Sequence, residues 1–149
     1  MIPGVDTSRW GSVDAALLVL RVGIGVSFVF VYGADKITGG PSTWVDLGQN
    51  MALFGVTFWP TVWGFMAALT EFGGGLLLML GLFFRPVLAL LLITMTVATA
   101  SHLAAGEGPW HATEMATVFV ALFLLGPGRY SLDAWLSGPP DAAEGPHVG

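Results

Sequence analysis

Four long apolar stretches, interrupted by almost no charge, constrain this chain more than any other feature. They run from about Val13 to Gly33, Thr61 to Phe84, Pro86 to Leu103 and Ala112 to Leu125. A bilayer's hydrocarbon core takes roughly 17–25 residues of helix. The first two stretches fit easily and the third is just long enough. The fourth reaches spanning length when His111 through Glu114 form its first turn at the interface. Closed barrels are the other way to satisfy every backbone polar group in lipid, but these runs lack period-two alternation. Composition points the same way, because only 10% of the 149 residues are charged. A soluble domain usually spends about a quarter of its residues on charge. The expected fold is therefore an all-α membrane protein, a four-transmembrane-helix bundle forming a single domain over residues 1–136.

Proline and glycine mark the boundaries. Pro86 is expected in the first turn of the third helix, where its missing N–H costs no hydrogen bond. Gly126, Pro127 and Gly128 end the fourth. Between the first two spans, the segment from Trp44 to Phe58 spaces its apolar residues loosely as a helix would, which predicts a short helix lying in the membrane interface. Residues 137–149 are rich in Pro, Gly and acid, and are expected to be a disordered tail. All six tryptophans, Trp10, Trp44, Trp59, Trp63, Trp110 and Trp135, fall at helix ends or on the connection, as anchors at a lipid–water boundary do. Arg9, Arg85 and Arg129 share one side with both termini, and Lys36 lies on the other. The positive-inside rule then puts both termini in the cytoplasm. The first helix has no cleavage site of the signal-peptide kind and reads as retained.

Several function classes drop out. The net charge is −5 and the basic residues are scattered singly, so no phosphate-reading nucleic-acid surface exists. The absence of cysteine excludes disulfides, thiolate metal sites and thiol catalysis. Gly73, Gly74 and Gly75 sit inside an apolar helix, where close packing explains them better than phosphate binding.

The informative residues are the ionisable ones inside the spans, each costing roughly 2.5–3.5 kcal/mol to insert and so calling for a partner. Arg21 lies in the first helix and Glu71 in the second. Counting from the cytoplasmic ends puts them about 12 and 20 Å deep, within reach of each other, so an intramembrane Arg21–Glu71 ion pair is expected. A second polar group gathers at the outer end, where Tyr32 and Lys36 close the first helix, His102 closes the third, and His111 and Glu114 open the fourth. Tyr32, Lys36, His102 and Glu114 are the candidate site for a quinone headgroup or another small organic ligand, since their side chains can hydrogen-bond oxygens and exchange protons. His102, His111 and Glu114 also admit a metal site, although so few ligands weigh against one. A third reading has these residues merely meeting interfacial water.

The chain resembles the DoxX family. The resemblance rests on Leu20-Arg21-Val22-Gly23, Tyr32-Gly33-Ala34-Asp35-Lys36, Glu71-Phe72-Gly73-Gly74, Leu80-Gly81-Leu82-Phe83-Phe84-Arg85-Pro86 and Gly126-Pro127-Gly128-Arg129-Tyr130-Ser131-Leu132-Asp133. It implies a four-helix protein of a bacterial or archaeal cell membrane, of a kind that includes membrane subunits of quinone-linked oxidation systems. The expected function is a membrane component of such a system, with quinone as the candidate cofactor. A protein partner or a second copy would accompany it, because no haem-ligand pair or flavin motif is present. The alternatives are a non-catalytic scaffold or assembly subunit and a small-solute pathway lined by Arg21, Glu71 and Thr94. The closing motif needs only a structural explanation: Ser131 can cap a short helix ending near Leu136, with Trp135 as its anchor.

Overall fold

The computed structural model describes residues 8–138, with side chains from Gly11 onward, and every regular element among them is helical. The expected tail at 139–149 lies outside the described residues. Helix α1 (Ser8–Ser27) runs without a break through a π-helical turn (Phe28–Gly33) into α2 (Ala34–Thr38). A short α3 (Gly40–Gly48) and a 3-10 segment (Gln49–Phe54) follow. Then come α4 (Pro60–Leu80), α5 (Phe84–Ala104), α6 (Trp110–Leu125) and a terminal α7 (Leu132–Ser137). Three segments are long and apolar enough to cross a membrane: Gly11–Thr38, Pro60–Leu80 and Phe84–Ala104. The 16 residues of α6 are equally apolar in character but shorter; at about 1.5 Å per residue they reach about 24 Å.

The four long helices alternate in direction. α1 packs on α4, α4 on α5 and α5 on α6, while Phe28 meets Phe119 edge-on across 5.3 Å to join α6 back to α1. The core between them is apolar: Phe28, Leu78, Phe84, Leu88, Leu91, Phe119 and Leu122 are fully enclosed. Outward-facing positions are apolar too, including Val19, Phe30, Ile93 and Leu124. Apolar surface on both faces of a helix is what hydrocarbon solvent permits and water does not.

Glycines set how α1 lies along α4. A Cβ on Gly25 would come within 2.7 Å of the Gly75 carbonyl, and one on Gly33 within 2.7 Å of the Phe72 backbone. Small residues let helix backbones approach in lipid, where packing rather than water expulsion drives association. The same device fixes α3. Side chains at Gly48 or Gly64 would collide with the Pro60 and Trp44 carbonyls respectively, so α3 lies backbone-to-backbone along the first turns of α4.

Helix ends differ from the sequence expectation in instructive places. The first helix continues to Thr38 rather than stopping at Gly33, because a glycine packed against α4 inside a helix is not a cap. α4 stops at Leu80, where Gly81 adopts φ +64° and its N–H bonds back to Leu78. α5 starts at Phe84, two residues before Pro86, because a distant side chain supplies its cap, as described next.

Candidate functional site

The ionisable residues fall into two groups at opposite ends of the bundle. At the end carrying the α4–α5 turn, the segment after α6 folds across three helices and fastens them. Asp133 accepts the Phe83 and Phe84 N–H groups, at 3.0 and 2.8 Å, through its two carboxylate oxygens. It thereby satisfies orphan donors at the start of α5 and holds Phe83 at a left-handed φ of 48°. The Asp133 N–H donates to the Gly81 carbonyl. Ser131 caps α7 by accepting the Ala134 N–H, and its hydroxyl donates to Gly128. Asp14 of α1 accepts the Arg129 N–H at 2.9 Å.

Arg21 belongs to this latch. Its guanidinium is fully buried, donates from Nη2 to the Tyr130 carbonyl at 2.6 Å, lies over the Phe84 ring and feels the Asp133 carboxylate. Any side chain at Gly81 would strike it. The expected Arg21–Glu71 pair therefore does not form. The reason is register: counting depth from helix ends assumed that the ends are level, whereas the Gly25–Gly75 contact places Arg21 beside Gly81. Glu71 stands ten residues before Gly81 on α4, roughly 15 Å away at helical rise.

At the other end Glu71 pairs with Lys36, Nζ to Oε2 at 2.5 Å, with the carboxylate side chain only 4% exposed and the lysine side chain 31%. The long helix brings them together. Phe28, Tyr32 and Lys36 follow one another at intervals of four along the π turn and α2, and all three face the same cavity. Trp44 of α3 donates its indole N–H to the Lys36 carbonyl at 2.9 Å and ties down the end of α2. The Tyr32 ring stacks on His111 of α6, with centroids 4.5 Å apart and planes 24° from parallel.

Around this pair lies a cavity of about 170 Å³. Tyr32, Lys36, Glu71, His102 and His111 give it polar groups, and Phe28, Met95 and Ala98 an apolar wall. His102 at the rim shares a hydrogen bond with Glu107, Nδ1 to Oε2 at 2.8 Å. On the far side of the ion pair is a larger, mostly apolar groove of about 320 Å³ between α4, α5 and the 3-10 segment.

The structure thus brings together Tyr32, Lys36 and His102 of the sequence candidates and adds Glu71 and His111. Glu114 is exposed and stands outside both cavities. The metal set of His102, His111 and Glu114 is not assembled: among the described residues no three acidic or imidazole side chains cluster as metal ligands would. Nor is the set suggested for a pathway: Thr94 and Glu71 line the groove, but Arg21 is at the opposite end. Glu71 stands in the sequence reading as the partner of Arg21 and as a wall of the pathway, not among the ligand candidates, because the offset of α1 on α4 that brings Lys36 to it is set by contacts between helices.

An apolar helical bundle with three segments long enough to cross a membrane, and a carboxylate buried in the middle of α4, defines an integral membrane protein. The DoxX family model matches residues 16–104. The inner membrane protein YphA of Escherichia coli (strain K12) is 31% identical over 145 residues, covering 87% of this chain and 99% of the relative. The chain belongs to the DoxX family. No solved structure matches it.

Proposed function

We propose that this protein holds a lipid-soluble quinone by its headgroup in the small cavity, as a membrane component of a quinone-linked redox system. The observation that carries the reading is the Lys36–Glu71 pair in the cavity wall, beside the stacked Tyr32 and His111 rings. An ammonium and a phenol can donate to the two carbonyl oxygens of a ring that slides against aromatic faces. Glu71 and the imidazoles can pass protons to and from those oxygens. Electrons would come from a protein partner, since this chain carries no redox group of its own in sequence.

In this reading α6 is the fourth crossing, its roughly 24 Å matched by modest thinning of a hydrocarbon layer about 30 Å thick. Arg85 and Arg129 mark the latch end as cytoplasmic by the positive-inside rule, which places both termini inside a bacterial or archaeal cell membrane. The cavity then opens toward the outer face, with α3 at the interface beside the larger groove.

The test is extraction and binding. Purified protein should carry quinone in its lipid extract, and Lys36→Met and Tyr32→Phe should each weaken rebinding of a benzoquinone while the protein still folds. An extract free of quinone, together with no measurable binding of added benzoquinone by the unmodified protein, would replace this reading with a scaffold role.

A further inference from the structure

The two cavities are separated by only the Lys36–Glu71 pair and Ala98, residues that line both. Their chemistry differs. The small one gathers the rings and imidazoles. The larger groove is walled by Leu47, Met66, Ala67, Leu90, Ile93 and Val97, and its volume falls at the lower end of the range of ligand pockets, roughly 300–1,000 Å³. Two of its polar side chains are already engaged. The Thr94 hydroxyl donates to the Leu90 carbonyl at 3.0 Å, and Asn50 accepts from Ser101 at 2.8 Å. Met66, Leu90 and Ile93 are exposed on its outer rim, so in a membrane it opens sideways onto lipid rather than onto water.

We infer that the groove seats the hydrocarbon tail of the same ligand whose ring occupies the small cavity, the tail passing Ala98 and the ion pair and leaving between α4 and α5. The ligand class is thereby an amphiphile with a hydrogen-bonding ring and a linear or isoprenoid chain, entering laterally from the bilayer. This rests on the headgroup reading above, and extends it by assigning which side of the ion pair is head and which is tail. A polar solute has no use for the groove, and a free lipid acyl chain would have no use for the small cavity. Continuity between the two through shared residues joins them into one elongated site.

The experiment uses 2,3-dimethoxy-5-methyl-1,4-benzoquinone with and without a decyl chain, on the full chain in nanodiscs, with binding read by quenching of tryptophan fluorescence. Ala67→Phe, or Ile93→Trp on the exposed rim should the first fail to fold, narrows the groove without touching the small cavity. The expected result is loss of the decyl compound by about tenfold or more, with the tail-less compound bound within about twofold of the unmodified protein. In parallel, a decyl benzoquinone carrying a diazirine at its chain end should label peptides from residues 63–70 or 90–98 of the unmodified protein, and excess tail-less compound should suppress the label. Equal binding of both compounds by the groove variants, labelling confined to α1 or α6, or groove labelling indifferent to the headgroup competitor would each overturn the tail assignment and leave the headgroup site standing. Failure of the unmodified protein to bind even the tail-less ring would instead remove the headgroup reading, and the tail assignment with it.

Discussion

Removing the lysine of the mid-helix pair should hurt more than removing the glutamate, and the asymmetry can be worked from exposure alone. In Lys36→Met the Glu71 carboxylate, 4% exposed at the middle of α4, has no other cation at hydrogen-bond distance among the described residues. Orphaning a buried charge in this way costs about 3–5 kcal/mol. Glu71→Gln is milder. The amide oxygen still accepts from the ammonium, and the lysine, one-third exposed near its helix end, can swing its head toward water along its flexible stem. That loss should be roughly 1–2 kcal/mol. With both changes made, a methionine faces a neutral amide. The double variant should then be no worse than about 2 kcal/mol, which leaves an interaction energy of at least about 2 kcal/mol between the sites. Arg21→Gln combined with Glu71→Gln should by contrast be additive to within about 0.5 kcal/mol, because the two lie far apart and share no partner. The assay is reversible unfolding in mixed micelles under increasing denaturing detergent, followed by tryptophan fluorescence. Additivity for Lys36 and Glu71, or coupling for Arg21 and Glu71, would refute the register argument. A Lys36→Met loss no larger than that of Glu71→Gln would refute the exposure argument.

Other variants probe the remaining contacts. Asp133→Ala strips the acceptor from both the Phe83 and Phe84 N–H groups and should destabilise by about 1–3 kcal/mol; hydrogen exchange should rise first at the α4–α5 turn, and exchange rising elsewhere instead would argue against the latch. Gly81→Ala must take a left-handed backbone while pressing on the Arg21 guanidinium, and a loss in the same unfolding assay below about 1 kcal/mol would show that the contact yields easily. Deleting Val31, which is exposed within the π turn, should restore ordinary helix and leave Tyr32 and Lys36 three and seven residues beyond Phe28, still on its face. Headgroup binding and the exchange protection of the latch end should both persist. Loss of binding would mean that the pitch of the π turn itself sets the site.

How far the sequence alone reaches is clear from particular residues. The apolar helices, the Ser131 cap on α7 and the crossing of helices by small residues were legible, because each follows from local chemistry: hydropathy, a hydroxyl three residues before a free N–H, glycines on one face. The partner of Glu71 was not. Choosing between Arg21 and Lys36 requires the vertical offset of α1 on α4, which is set by contacts between Gly25 and Gly75 and between Gly33 and Phe72, and no single-helix pattern encodes it. The π turn was equally hidden, since Phe28–Gly33 is an unremarkable apolar run whose altered pitch is visible only in its hydrogen bonds. The role of Asp133 was hidden too, because its two acceptors serve donors some fifty residues earlier in the chain.

The two ends of the bundle divide the chemistry of buried charge between opposite tasks. At the latch end, Asp14, Arg21 and Asp133 all bond to backbone groups of other segments, an arrangement that fixes helix positions and leaves no cavity beside them among those described. At the other end, Lys36, Glu71, Tyr32 and His111 meet side chain to side chain, around open volume. Side-chain pairs can exchange one partner for a ligand atom without unfastening the fold, whereas backbone-bonded charges cannot. The same ion chemistry that costs several kcal/mol to bury is therefore structural where it closes on the main chain, and available for recognition where it does not. Lys36, already one-third exposed, is the charge best placed to let go of its partner and take hold of a ligand oxygen.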